Sequence, residues 1–87
     1  MSLDDDFQKA IQDAQELPEK PSNQELLLLY GLFKQSNVGD VSGKRPPLHD
    51  MFGRAKFDAW TKLKGTSNDE AKQQYIDAVA AMLKAHQ

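Results

Sequence analysis

The stretch Ser22-Asn-Gln-Glu-Leu-Leu-Leu-Leu-Tyr-Gly-Leu-Phe-Lys-Gln-Ser-Asn37 decides the fold. Ser22 and Glu25 have the spacing of a capping box, in which the serine hydroxyl accepts the third-residue N–H and the glutamate reaches back to the cap N–H. Pro21 stands just outside, so a helix starts here and runs to about Asn37. The four leucines Leu26 to Leu29 point about 100° apart around that helix and cannot all face one core. At least one must face a groove, a neighbouring element or water, although single exposed leucines are common in any protein.

The same start signal recurs at Ser67 and Glu70, and Gly65 just before it is suited to close the preceding helix in a left-handed conformation. Lys64-Gly-Thr-Ser67 therefore reads as one helix ending and the next beginning. A first helix is predicted from near Asp4 to Asp6, whose carboxylates suit the positive end of the helix dipole, to just before Pro18. Its apolar stripe is Phe7, Ile11, Ala14 and Leu17. The last helix carries Ala71, Tyr75, Ile76, Val79 and Met82 at spacings of three and four, and the two stripes are expected to face each other. A third helix, roughly Gly53 to Lys64, buries Ala55, Phe57, Trp60 and Leu63 in part. No segment alternates with period two, so the prediction is an all-α domain of four helices spanning residues 1–87. The one long connection, about Val38 to Phe52, contains Gly39, Gly43, Pro46 and Pro47. On the residues alone it is either a functional loop or a plain overhand link.

Composition narrows the function. A chain of 87 residues buries only about 60–65% of its unfolded surface. It has no Cys, hence no disulfide framework and no thiolate for zinc or nucleophilic attack. A net charge of −2 argues against a general nucleic-acid binder, so any phosphate recognition must be local. The acidic start lacks the basic and apolar stretches of a secretory signal, and no run approaches a membrane span, so a cytoplasmic protein is expected.

Tyr30, Phe33 and Lys34 occupy i, i+3 and i+4, which puts two rings and one ammonium on one helix face. Arg54, Lys56 and Phe57 repeat the combination of cation and aromatic at the start of the third helix, where free backbone N–H groups also favour phosphate. Core packing and a solvated lysine are the plain alternative, and the residues alone leave both open. Catalytic material is thin. His49 lies in the Pro-rich connection and His86 beside the C-terminus, neither at metal-ligand spacing, and there is no phosphate cradle or serine elbow. Asp58, Asp69, Glu70 and Asp77 read as solvated or structural.

Taken with Lys44-Arg-Pro46 between the two groups and Tyr75-Ile-Asp77 after them, the chain resembles the acyl-CoA-binding protein family from about Phe7 to about Met82. The resemblance implies a four-helix up-down-down-up bundle with its long connection between helices 2 and 3, framing a site for fatty acyl-CoA. It implies non-covalent binding, buffering and transport of medium- and long-chain esters, with no enzyme activity, cofactor or metal. It also implies a monomer in transient contact with acyl-CoA-using enzymes or membranes, and no nucleic-acid partner. By position, Tyr30, Phe33, Lys34, Lys56 and Tyr75 then contact the nucleotide end, the lysines serving the 3′-phosphate. Phe33 stands where many members have tyrosine, which keeps a stacking face and removes a hydroxyl. Gln15 and Phe52 stand where several animal relatives have lysines. Arg54 is a candidate to compensate, since a guanidinium can engage phosphate bidentately. Ala10, Leu26, Leu27, Met51 and Phe52 are candidates for the acyl groove, with Phe52 either an apolar wall or a cover for the core. Two rivals from other classes are a helical protein-interaction module and a nucleotide- or nucleic-acid-binding helical domain.

Overall fold

The computed structural model describes residues 2–85, and His86 lies outside them. Four helices follow in order, α1 (Leu3–Gln15), α2 (Asn23–Asn37), α3 (Met51–Thr61) and α4 (Asn68–Ala85), with no strand among the described residues. Each begins on an oxygen that accepts one of the free N–H groups every helix start leaves. Ser2 Oγ accepts the Asp5 N–H at 3.1 Å, one residue ahead of the expected acidic start. At α2 both halves of the capping box form, Ser22 Oγ accepting from Glu25 at 3.1 Å and Glu25 Oε1 accepting from Ser22 at 2.9 Å. Ser67 Oγ accepts the Glu70 N–H at 3.1 Å.

The third helix departs from expectation at both ends. Asp50 caps it by accepting the Gly53 N–H at 3.0 Å, so Met51 and Phe52 lie in its first turn rather than in the connection. Pro46 and Pro47 place the end of the connection late along the sequence, but the Asp50 carboxylate satisfies an N-terminal donor and starts the helix two residues before Gly53. At the other end α3 stops at Thr61. Leu63, Lys64 and Thr66 then donate to carbonyls three residues back at 3.0, 3.1 and 2.9 Å, until Gly65, at φ +93°, turns the chain toward α4.

Contacts across the helix pairs fix direction. Asp4 meets Lys72 and Phe7 meets Tyr75, so α1 and α4 climb together. Tyr30 meets Lys56 and Lys34 meets Trp60, so α2 and α3 are also parallel. A parallel pair cannot be joined by a tight turn. The chain leaving α2 must return along a 15-residue helix, roughly 22 Å, before α3 can start. Topology thus requires the connection over residues 38–50.

The core is Phe7, Ala10, Leu29, Leu32, Tyr75, Val79 and Met82, with α4 packed on both α1 and α2. The expected facing of the α1 and α4 stripes is observed. Between α1 and α2 there is no close backbone approach, which leaves a cleft. Gly31 sets the α2–α3 spacing: a Cβ there would stand 2.9 Å from the Ala59 carbonyl oxygen and 3.2 Å from Leu63 Cδ1. Gly31→Ala gains about 1 kcal/mol of helix propensity, yet overpacking against backbone costs about 1–3 kcal/mol. Denaturant titration should therefore find the variant less stable by about 1 kcal/mol. Stability at or above wild type would mean that the two helices part freely.

Candidate functional site

Tyr30 and Lys34 are one turn apart on α2, and Lys56 and Trp60 are one turn apart on α3. Because the helices are parallel, each lysine lands on the other helix's ring. Lys34 Nζ lies 5.0 Å from the Trp60 ring centroid, and Lys56 Nζ lies 5.3 Å from that of Tyr30 and 4.9 Å from that of Phe52. All three distances fall within cation–π range. Both ammonium groups therefore lie along the same seam. Among the described residues the ion pairs are Lys9–Asp13, Arg45–Asp58 and Lys72–Asp4, and neither Lys34 nor Lys56 takes part in one.

Tyr30 also faces the other way. With Phe33 and Tyr75 it lines the cleft between α1 and α2, about 330 Å³, whose remaining walls include Ile11, Ala14, Leu26 and Leu29. Phe33 stacks tilted on Phe7 at 6.5 Å, and Tyr75 meets the same ring edge-on at 5.2 Å. Burial raises the Tyr75 phenol above its ordinary value, so the ring stays neutral and its hydroxyl remains a donor through the physiological range.

Of the sequence candidates, the structure brings Tyr30, Lys34 and Lys56 together at the seam and adds Phe33 and Tyr75 along the cleft. Arg54 is two residues from Lys56, about 200° around α3, and its charge falls on Asp58 instead. The groove candidates disperse. Leu26 lines the cleft, whereas Leu27 lines a second groove, about 630 Å³, between α2 and α3 together with Leu28, Ala55 and Ala59. Leu28 is the exposed member of the leucine run and Leu29 the buried one. Ala10 packs into the core against α4 and reaches neither hollow. Met51 is 78% exposed, and Phe52 covers Lys56 rather than the core. Gln15 lines the cleft.

Comparison with known proteins settles the family. The family model described as "Acyl CoA binding protein" matches residues 4–79. The chain belongs to the acyl-CoA-binding protein family. An acyl-CoA-binding protein of Brassica napus is 45% identical over 98% of this chain and 92% of its own length, and one of Ricinus communis is 43% identical over 95% and 92%. The crystal structure of Oryza sativa acyl-CoA-binding protein 2 matches with a TM-score of 0.91 at 39% identity, covering 97% of this chain and 93% of that one. The corresponding protein of Moniliophthora perniciosa gives 0.91 at 42% identity, over 100% and 85%. The up-down-down-up bundle expected of the family is the fold of this chain.

Three features of this member were not found from its sequence. Trp60, read as core, is the ring beneath Lys34, and its Nε1 donates to the Gly39 carbonyl at 2.8 Å. The available signal was the reversed order of ring and lysine, Tyr30/Lys34 against Lys56/Trp60. Gln35, fully buried, donates to Asp40 at 2.9 Å and to the Thr66 carbonyl at 2.7 Å, while Asp40 also accepts the Gly65 N–H at 2.8 Å. Arg45 grips Asp58 with two bonds, at 3.0 and 2.7 Å. These contacts hold the connection against α3 and the turn before α4. Among the described residues no cluster of His, Asp or Glu could hold a metal, and no helix is long and apolar enough to cross a membrane.

Two carboxylates in this frame titrate low. The Gly65 N–H and the Gln35 amide depress Asp40, and the bond from Arg45 depresses Asp58. A folded-state value below the unfolded one, about 3.9, gives stability that is present above that pH and lost as pH falls through the folded value. Melting temperature should therefore decline below about pH 4. The Asp58→Asn variant should melt lower than wild type at neutral pH and show a shallower decline in acid. Parallel acid limbs in the two proteins would exclude Asp58 as a contributor.

Proposed function

We propose that this chain binds medium- and long-chain fatty acyl-CoA esters non-covalently, as one domain and as a monomer, and buffers and carries them in the cytoplasm. The observation that carries this reading is that Lys34 and Lys56 rest on aromatic faces without a carboxylate partner, beside an apolar cleft that shares Tyr30 with them. A cation held by a ring stays available to a phosphate, which a cation committed to a carboxylate does not. Tyr30, Phe33 and Tyr75 supply faces and a hydroxyl for the nucleotide end, and Arg54 is an outlying cation. Leu26, with Ile11, Ala14 and Leu29 in the same cleft, gives the acyl chain an apolar wall. The reading includes neither catalysis nor a cofactor.

Magnitudes divide the work between the two ends. A dozen buried methylenes, at about 0.8 kcal/mol each, contribute at most about 10 kcal/mol before ordering costs. The chain thus supplies much of the affinity but cannot tell a thioester from a free acid. Charge-assisted bonds, at about 1.5–3 kcal/mol each, make that distinction.

Calorimetry with palmitoyl-CoA, free coenzyme A and palmitate tests the proposal. Affinity should rise with acyl length, and palmitate alone should bind far more weakly. Lys34→Ala and Lys56→Ala should each weaken palmitoyl-CoA by about ten- to hundredfold with melting nearly unchanged. Equal binding of coenzyme A and its acyl esters would favour a plain nucleotide site, and no saturable response would favour a protein-interaction module.

A further inference from the structure

We propose that the turn Pro47–Asp50 and the first turn of α3 form a docking tip for anionic lipid membranes. Three large apolar side chains stand outward within five residues: Leu48 is 80% exposed, Met51 78% and Phe52 54%. Surface leucines exposed singly are ordinary, but three side by side are not. The backbone beneath them is fixed. Pro46 and Pro47 restrict its entry, the Asp50 N–H donates to the Pro47 carbonyl at 2.9 Å to close the turn, and Asp50 then caps α3. Leu48 sits at the apex of that turn. Apolar groups held outward on a rigid support are presented to something rather than left over from a loose loop.

Charge identifies the partner. Residues 44–58 carry Lys44, Arg45, Arg54 and Lys56 against Asp50 and Asp58; Arg45 and Asp58 pair with each other and Asp50 caps α3, which leaves Lys44, Arg54 and Lys56 outside any ion pair among the described residues. The chain as a whole is at −2, so this segment is a basic island on an acidic protein. The Lys56 ammonium, 4.9 Å from the Phe52 ring centroid, puts positive charge directly behind the apolar tip. Apolar side chains backed by basic ones are complementary to a bilayer with anionic headgroups. Phe52 belongs to both the tip and the surroundings of Lys56. A bilayer touched by this tip therefore meets the edge of the proposed ligand site, where an amphiphilic ester can pass from lipid to protein without crossing water.

The docking rests on the preceding reading for its purpose but not for its test, because vesicles can be floated with the unliganded chain. The full chain is floated with vesicles of phosphatidylcholine alone and with vesicles of phosphatidylcholine mixed with phosphatidylserine. It should rise with the mixed vesicles, by about fivefold over the neutral ones for each basic side chain that reaches the headgroups, and lose that advantage at high salt. Leu48→Asp should lower recovery at least about tenfold, by replacing a buried apolar contact with a charge. Its affinity for palmitoyl-CoA in solution should remain that of wild type. Val38→Ser, which alters an exposed valine outside the segment, should float as wild type does. Absence of flotation with either vesicle overturns the proposal, as does equal recovery of wild type and Leu48→Asp, which would assign the tip to a protein partner. Failure of palmitoyl-CoA binding with flotation intact would count against the ligand reading alone.

Discussion

The structure depends on the close parallel approach of α2 and α3 at Gly31. A residue with any side chain at that position would meet the Ala59 carbonyl oxygen. With none, the two helices come near enough for Tyr30 to lie under Lys56 and for Lys34 to lie on Trp60. Parallel direction then dictates the long return of the chain over residues 38–50. A loop of that length loses much conformational entropy on ordering, at about 1–2 kcal/mol per residue, so it must be tied down. Trp60 to Gly39, Gln35 to Asp40, Asp40 to Gly65 and Arg45 to Asp58 provide the ties. Trp60 serves twice, with its indole N–H holding the loop and its face holding the lysine.

The choice of aromatic faces over carboxylates for Lys34 and Lys56 has an energetic logic. An exposed cation–π contact is worth about 0.5–1 kcal/mol, which orients an amine without neutralising it. A carboxylate partner would have to be displaced, or would repel, when a phosphate arrived. The carboxylates near the seam are already committed elsewhere, Asp58 to Arg45 and Asp40 to Gln35 and Gly65. The same contacts that hold the connection in place thus keep negative charge occupied away from the two free amines.

Local signals were legible in the sequence, and long-range ones were not. The caps at Ser22 and Ser67, the left-handed conformation of Gly65 and the stripes of α1 and α4 are read within a few residues, and each is where the chain predicts it, although α3 stops at Thr61, short of that glycine. The start of α3 is misread along the sequence because Asp50 follows two prolines, beside which a single capping carboxylate is a weak local signal. Periodicity marks which residues share a face but not which hollow that face lines. Leu26 and Leu27, adjacent in sequence, therefore open onto different sides of α2, and Ala10 belongs to the core. Arg45 to Asp58 and Lys34 to Trp60 join residues on elements whose pairing only the three-dimensional arrangement reveals. The family resemblance supplies the candidate site residues as a set. Their seating, ring under ammonium in both directions, is a property of the parallel seam.

Phe52 illustrates how one substitution can be absorbed by geometry. The family resemblance implies a lysine at this position in several animal relatives, and so one cation fewer here at the edge of the proposed site. In its place stands a ring 4.9 Å from the Lys56 ammonium, which is thereby held between Phe52 and Tyr30. A free lysine loses about 1.5–2 kcal/mol of rotamer entropy when a ligand fixes it. A lysine already placed against two rings has lost part of that beforehand, so each phosphate contact proposed for it would be worth more. Under the proposed function, preorganisation of one amine would offset the absence of another. The same ring, half in solvent, also gives the edge of the site an apolar outer surface that a lysine would not.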